Sequence, residues 1–114
     1  MNESYLQQQM VKWFRYKYPE YTLFAIPNGH KRNAITGAIL KREGVVAGVA
    51  DLFLMKANKK WNGLWIEVKI DKGRQSESQK EFELKAMREG YNYVICKSID
   101  SFIEEINEYI NDND

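Results

Sequence analysis

Apolar residues recur at every fourth position near the start of the chain, which is the spacing of one face of an α-helix. The positions are Leu6, Met10, Phe14 and Tyr18. The pattern predicts an amphipathic helix that ends before Pro19 and that Asn2 or Ser4 can cap. A similar helix is predicted in the last part of the chain. Its apolar positions are Phe102, Ile103, Ile106 and Ile110. Two further helices are predicted over 30–43 and 77–88.

Four shorter segments are rich in β-branched, aromatic and other apolar residues and are bounded by turn residues. They run over 21–26, 51–55, 64–70 and 91–97. A turn sequence at 58–63 separates the second from the third, so these two segments predict an antiparallel hairpin. The resulting order is α-β-α-β-β-α-β-α. It predicts an α/β fold with a mixed central sheet of about four strands flanked by helices, in one domain over residues 1–114.

Three charged residues interrupt the two hairpin segments. Asp51 heads the first, while Glu67 and Lys69 lie two residues apart in the second. Alternate residues of a strand share a face, so Glu67 and Lys69 point the same way, roughly 6 to 7 Å apart, and antiparallel pairing brings Asp51 near them. Two carboxylates suit Mg²⁺ or Mn²⁺, and an ammonium beside them can orient a water and offset charge on a phosphate. The alternative is an ordinary ion pair on a solvated strand, with Asp51 as a turn residue.

The composition excludes several classes of protein. Hydrophobic residues make up 44% of the chain, which excludes wholesale disorder, and its single cysteine excludes an internal disulfide or a cysteine-rich zinc site. The chain has no apolar segment long enough to cross a membrane and no signal-like start. We therefore expect a soluble protein of the cytoplasm.

The net charge of +1 conceals an asymmetry between the two halves of the chain. Residues 1–60 carry ten Lys or Arg and four Asp or Glu, a net charge of +6, so the remainder carries −5. A basic half is compatible with nucleic-acid binding, although charge runs are more often plain solvated surface. The candidate phosphate contacts are His30, Lys31, Arg32, Lys41, Arg42, Lys72 and Arg74.

Three ordered motifs from Gly44 to Gln79 resemble the VRR-NUC family of the PD-(D/E)XK nuclease superfamily. They are Gly48-Val49-Ala50-Asp51-Leu52, Trp65-Ile66-Glu67-Val68-Lys69 and Ser76-Glu77-Ser78-Gln79. The resemblance covers residues 44–97 well. It extends more weakly to the N-terminal helix, where Glu3 and Gln7 match an E-x-x-x-Q pattern. Ala50 stands where the family usually has proline, which affects the stiffness of the turn rather than the chemistry.

The resemblance implies roles for individual residues. Asp51, Glu67 and the backbone carbonyl of Val68 would bind Mg²⁺ or Mn²⁺, Lys69 would organise the water, and Gln79 would support the site. Gln79 is equally suited to a capping box with Ser76. Glu3 would be a further metal ligand, although an acid in the first helical turn is also favoured by the helix dipole.

The resemblance further implies a restriction-endonuclease-like core and a metal-dependent DNA endonuclease. Small stand-alone members look like viral or phage proteins that resolve Holliday junctions and often form homodimers, which would place the protein in the host cytoplasm. Two alternatives remain open at this point. One is a restriction-like or RNA-splicing endonuclease, and the other is a non-catalytic nucleic-acid-binding domain that retains the fold.

Overall fold

The structure is a computed structural model that describes residues 1–27 and 34–112. Its helices and strands follow the predicted order. They are α1 Glu3–Lys17, β1 Thr22–Ala25, α2 Ala34–Arg42, β2 Leu52–Met55, β3 Leu64–Val68, α3 Glu77–Arg88, β4 Asn92–Cys96 and α4 Ile99–Asn111. The predicted start of the second helix at His30 lies outside the described residues. None of the helices in the described ranges is long and apolar enough to span a membrane.

The four strands form one mixed sheet in the order β1-β2-β3-β4. β2 pairs antiparallel with both β1 and β3, so the predicted hairpin is confirmed, and its register places Leu52 opposite Ile66. β4 lies parallel to β3, and the crossover between them carries α3. The two inner strands, β2 and β3, thereby bring Asp51 and Glu67 to the same end of the sheet.

One face of the sheet forms the core with α1 and α4. The strands contribute alternate apolar residues to this face, and the helices contribute the apolar positions predicted from their spacing. The fully buried members include Leu6, Met10, Phe14, Leu52, Leu54, Leu64, Ile66, Phe102 and Ile106. The core therefore occupies the face opposite to the one that carries Glu67 and Lys69.

The other face of the sheet is partly covered by α3 through aromatic contacts. The Trp65 ring centroid lies 4.4 Å from that of Phe53 and 5.0 Å from that of Phe82 on α3. These rings fill the space beside Glu67, because Trp65 precedes it by two residues on the same strand face. The aromatic cluster thus fixes α3 next to the charged residues.

The third strand ends two residues earlier than the sequence predicted. β3 stops at Val68, although the Lys69 amide still donates to the Cys96 carbonyl at 3.1 Å. A tight turn follows at once, since the Gly73 amide donates to the Ile70 carbonyl at 2.8 Å and Asp71 has a positive φ of 49°. Lys69 consequently lies at the end of the strand, where its side chain can reach the rim of the sheet.

The burial of the core residues leads to a prediction about stability that does not depend on function. Phe102 is 0% exposed, whereas Tyr16 on α1 is 85% exposed. We expect Phe102→Ala to lower the free energy of unfolding by about 3–5 kcal/mol, because it leaves a cavity between α4 and the sheet. Tyr16→Ala should change it by less than about 0.5 kcal/mol. Urea denaturation measures both values, and equal values for the two variants would contradict this description of the core.

Candidate active site

Six polar residues from four parts of the chain line one cavity of about 300 Å³. They are Glu3, Asp51, Glu67, Lys69, Ser76 and Gln79. The opposite wall is the loop 45–49, which leads from α2 toward β2. The predicted convergence of Asp51, Glu67 and Lys69 is therefore present in the structure.

Among the described residues, Glu67 is the one charged residue that is buried, with 2% of its surface exposed. Its Oε2 atom accepts a hydrogen bond from Gln79 Nε2 at 2.9 Å and lies 3.4 Å from Lys69 Nζ. Its Oε1 atom is buried and has no hydrogen-bond partner among the described residues. A buried carboxylate oxygen without a partner is costly, so this atom marks a position that a ligand would stabilise.

Asp51 is fixed between two neighbouring strands. Its Oδ2 atom accepts a hydrogen bond from the Val68 amide at 2.8 Å, and its carbonyl accepts one from the Ile26 amide at 2.9 Å. These contacts bind both the side chain and the backbone of Asp51 to the sheet. The carboxylate therefore stays close to Glu67 despite the like charge.

The electrostatics of the cavity favour a positive ligand. The pKa of Glu67 is raised to about 8, chiefly by burial and next by the negative charge of Asp51, whereas Lys69 acts in the opposite direction. Desolvation and a neighbouring carboxylate both disfavour the ionised form of Glu67, and a single ammonium does not offset them. A buried carboxylate with a raised pKa beside a second carboxylate, as in Glu67 and Asp51, is typical of functional sites.

Gln79 makes the contacts that both of its predicted roles require. Its side-chain Oε1 atom accepts a hydrogen bond from the backbone amide of Ser76 at 2.8 Å. In return the Ser76 hydroxyl accepts one from the backbone amide of Gln79 at 3.2 Å, which completes the capping box of α3. Its Nε2 atom donates to Glu67. One side-chain amide thus joins the start of α3 to the buried carboxylate.

Gly48 allows the loop 45–49 to approach the start of α3. Its φ is +91°, and a Cβ atom at this position would lie 2.2 Å from the Ser78 carbonyl oxygen. Only glycine fits such a contact. The motif around Gly48 does not by itself predict that this segment is a cavity wall.

The residues present fit a divalent cation of the oxygen-preferring kind. Mg²⁺ commonly takes one or two carboxylates together with waters and substrate phosphates, and Asp51 with Glu67 provides such a pair. Across residues 1–27 and 34–112, no group of three or more His, Cys, Asp or Glu side chains is close enough to hold a metal. Glu3 lines the cavity from the first turn of α1, where it also complements the helix dipole.

Four of the seven predicted phosphate-binding residues lie in two exposed regions near the cavity. Lys41 and Arg42 occupy the last turn of α2, and Lys72 and Arg74 lie in the segment between β3 and α3. In the described structure none of these four side chains lines the cavity itself. The remaining three candidates lie outside the described residues. These are His30, Lys31 and Arg32.

Comparison with known proteins identifies the family of this chain. The chain matches the VRR-NUC domain over residues 1–100. A solved structure named "VRR_NUC domain protein" is similar to it with a TM-score of 0.86 and 29% sequence identity, over 100% of this chain and 92% of the other. No curated protein matches the sequence significantly. A match across most of the chain, together with this fold, shows that the protein belongs to the VRR-NUC domain family, a family of nuclease-type domains.

Proposed function

We propose that this nuclease-type domain is a Mg²⁺- or Mn²⁺-dependent endonuclease that hydrolyses DNA phosphodiester bonds. The observation that carries the proposal is the carboxylate of Glu67, which is buried beside Asp51 and keeps one oxygen without a partner in the described chain. The ion pair with Lys69 is made through Oε2 and leaves the buried Oε1 atom unsatisfied. A cation held by both carboxylates would satisfy it and would remove their repulsion.

Asp51, Glu67 and the Val68 carbonyl are the groups that would hold the metal. When bound, Mg²⁺ or Mn²⁺ supplies an activated water at neutral pH and neutralises charge on the phosphate. The backbone amide of Val68 already fixes Asp51 through its hydrogen bond. The site is thus preorganised by β3, which is a central strand.

Lys69 is the residue proposed to organise the attacking water. Its side chain is only 14% exposed, and its Nζ atom lies 3.4 Å from Glu67 Oε2. This position at the end of β3 holds the ammonium at the cavity, where it can orient a water and stabilise negative charge that develops on the phosphate. Gln79 keeps Glu67 in place through its hydrogen bond from α3.

The proposed substrate is branched DNA, such as a Holliday junction, and the proposed assembly is a homodimer. Two copies of one site would cut two strands symmetrically. The support for both is the resemblance to small viral and phage members of the family, which also suggests a role in viral replication or repair in the host cytoplasm. The exposed side chains of Lys41, Arg42, Lys72 and Arg74 would position the phosphate backbone without reading bases. From the sequence, we propose the same role for His30, Lys31 and Arg32.

Metal-dependent cleavage tests the assignment directly. With Mg²⁺ or Mn²⁺ we expect the wild type to cleave supercoiled, linear or four-way-junction DNA, and with EDTA we expect no cleavage. Asp51→Asn and Lys69→Ala should each lower the rate by about 100-fold or more, because they remove a metal ligand and a transition-state charge. Gel-based cleavage assays measure these rates.

The matched controls are Glu104→Gln and Lys12→Ala, which alter an exposed acid on α4 and an exposed lysine on α1. Both should cleave DNA at the wild-type rate. Absence of cleavage by the wild type, combined with DNA binding, would favour a non-catalytic domain on the same fold. Equal rates for the wild type and the Asp51 and Lys69 variants would refute the site.

The two roles of Gln79 can be separated by comparison with a second capping box. Ser98 caps α4 in the same manner as Ser76 caps α3. Ser98→Ala should lower stability by about 1 kcal/mol and leave cleavage unchanged. Gln79→Leu should lower stability similarly and also slow cleavage by about tenfold or more, because Glu67 loses its hydrogen-bond donor. If Gln79→Leu cleaves DNA as fast as Ser98→Ala, then Gln79 is only a cap.

A further inference from the structure

Three buried polar side-chain atoms have no hydrogen-bond partner within residues 1–27 and 34–112. They are Gln9 Oε1, Glu67 Oε1 and the hydroxyl of Tyr93. Native proteins leave few such atoms unsatisfied, because each one costs free energy. Gln9 belongs to α1, on the core face, whereas the other two side chains lie on the face that α3 covers. The Tyr93 hydroxyl has no part in the site described above, so its burial needs a separate explanation.

Tyr93 and Glu67 lie close together on that face of the sheet. In the parallel pairing of β3 with β4, Tyr93 stands opposite Trp65, two residues before the position of Glu67. Two residues along a strand and one strand across correspond to about 8 Å between the Cα atoms of Tyr93 and Glu67. The Phe82 ring centroid of α3 lies 6.3 Å from that of Tyr93 and 5.0 Å from that of Trp65. Both side chains therefore enter the narrow space between the sheet and α3.

The charge of Glu67 acts on the Tyr93 hydroxyl. The pKa of Tyr93 is raised to about 12, chiefly by burial, so the hydroxyl keeps its proton at neutral pH and can donate a hydrogen bond. Among the neighbouring carboxylates, Glu67 raises this pKa most, ahead of Glu83 and Asp51. The hydroxyl is thus a permanent donor, and Glu67 is the carboxylate that affects it most strongly.

The described residues offer this hydroxyl no direct partner. Gln75 is close enough to lower the pKa of Tyr93, but its Nε2 atom donates to Glu83 Oε1 at 2.8 Å instead. The hydroxyl makes no direct hydrogen bond to Gln75 or to Glu67. A buried water typically bonds to two to four otherwise unsatisfied polar groups, so one water can join a buried donor to a buried acceptor that do not touch.

We propose that Tyr93 is a positioning residue whose hydroxyl holds the Glu67 carboxylate through one ordered water that donates to Oε1. This inference rests on the proposed metal site and adds a residue of β4 to it. A carboxylate oxygen has two lone pairs, so Oε1 can accept from the water and bind a cation at the same time. Gln79 would fix one oxygen of Glu67 from α3, and Tyr93 would fix the other from β4. Carboxylates that bind metals are commonly held by such outer hydrogen bonds.

Calorimetric titration with Mn²⁺ tests the effect on the metal site. Tyr93→Phe removes the hydroxyl and keeps the ring, so we expect about tenfold weaker binding than in the wild type. The matched control is Tyr109→Phe, because Tyr109 is 5% exposed and its hydroxyl donates to the Lys56 carbonyl at 2.7 Å. Phe82→Leu alters the packing of α3 without removing a hydroxyl. Both controls should bind Mn²⁺ as the wild type does, and thermal unfolding verifies that each variant is folded.

A double-mutant cycle in EDTA tests the link between the two side chains without metal. The urea midpoint is measured for Tyr93→Phe, for Glu67→Leu and for the double variant. A shared water makes the two shifts in midpoint non-additive, whereas the shifts of Tyr109→Phe and Glu67→Leu should add. A crystal structure of the metal-free protein should show the water within hydrogen-bonding distance of Glu67 Oε1 and the Tyr93 hydroxyl.

Three results would overturn the inference. Tyr93→Phe would bind Mn²⁺ as tightly as the wild type, or Phe82→Leu would weaken binding as much as Tyr93→Phe, or the shifts of Tyr93→Phe and Glu67→Leu would add. Failure of the proposed function gives a different result, since the wild type would then bind no Mn²⁺. The cycle in EDTA still decides in that case whether Tyr93 holds Glu67.

Discussion

The burial of one carboxylate in a central strand is the constraint on which the rest of this site depends. Glu67 lies on β3 with 2% of its surface exposed, and an ionised group in that position is stable only with partners. Lys69 and Gln79 both contact its Oε2 atom, and Asp51 is held nearby by the Val68 amide. The strand hairpin, the turn after β3 and the start of α3 are all arranged so that these groups meet.

The two faces of the sheet have different surroundings: one packs into the hydrophobic core, and the other borders α3 and the cavity. Alternate residues of β3 point into the core formed with α1 and α4, while the intervening residues Trp65 and Glu67 face α3 and the cavity. The single strand β3 therefore contributes side chains to the core and to the cavity at the same time. From the same alternation we expect substitutions in the core to change stability and substitutions in the cavity to change the proposed activity.

The sequence predicted the element order, the hairpin and the convergence of Asp51 with Glu67, because period-two alternation and antiparallel pairing determine these features locally. It did not decide between the two roles of Gln79. Spacing identifies a capping box, whereas the contact with Glu67 depends on how α3 packs on the aromatic cluster of Trp65 and Phe82. The cavity wall at 45–49 escaped prediction for a similar reason, since it depends on the close contact of Gly48 with Ser78.

Asp51 and Glu67 are proposed to bind a divalent cation together, and calorimetric titration of the protein with Mn²⁺ measures this binding without any dependence on DNA. We predict saturable binding to the wild type and at least tenfold weaker binding to Glu67→Gln, which keeps the shape of the side chain and removes its charge. Equal affinity in the two proteins, or no binding to the wild type, would contradict the claim.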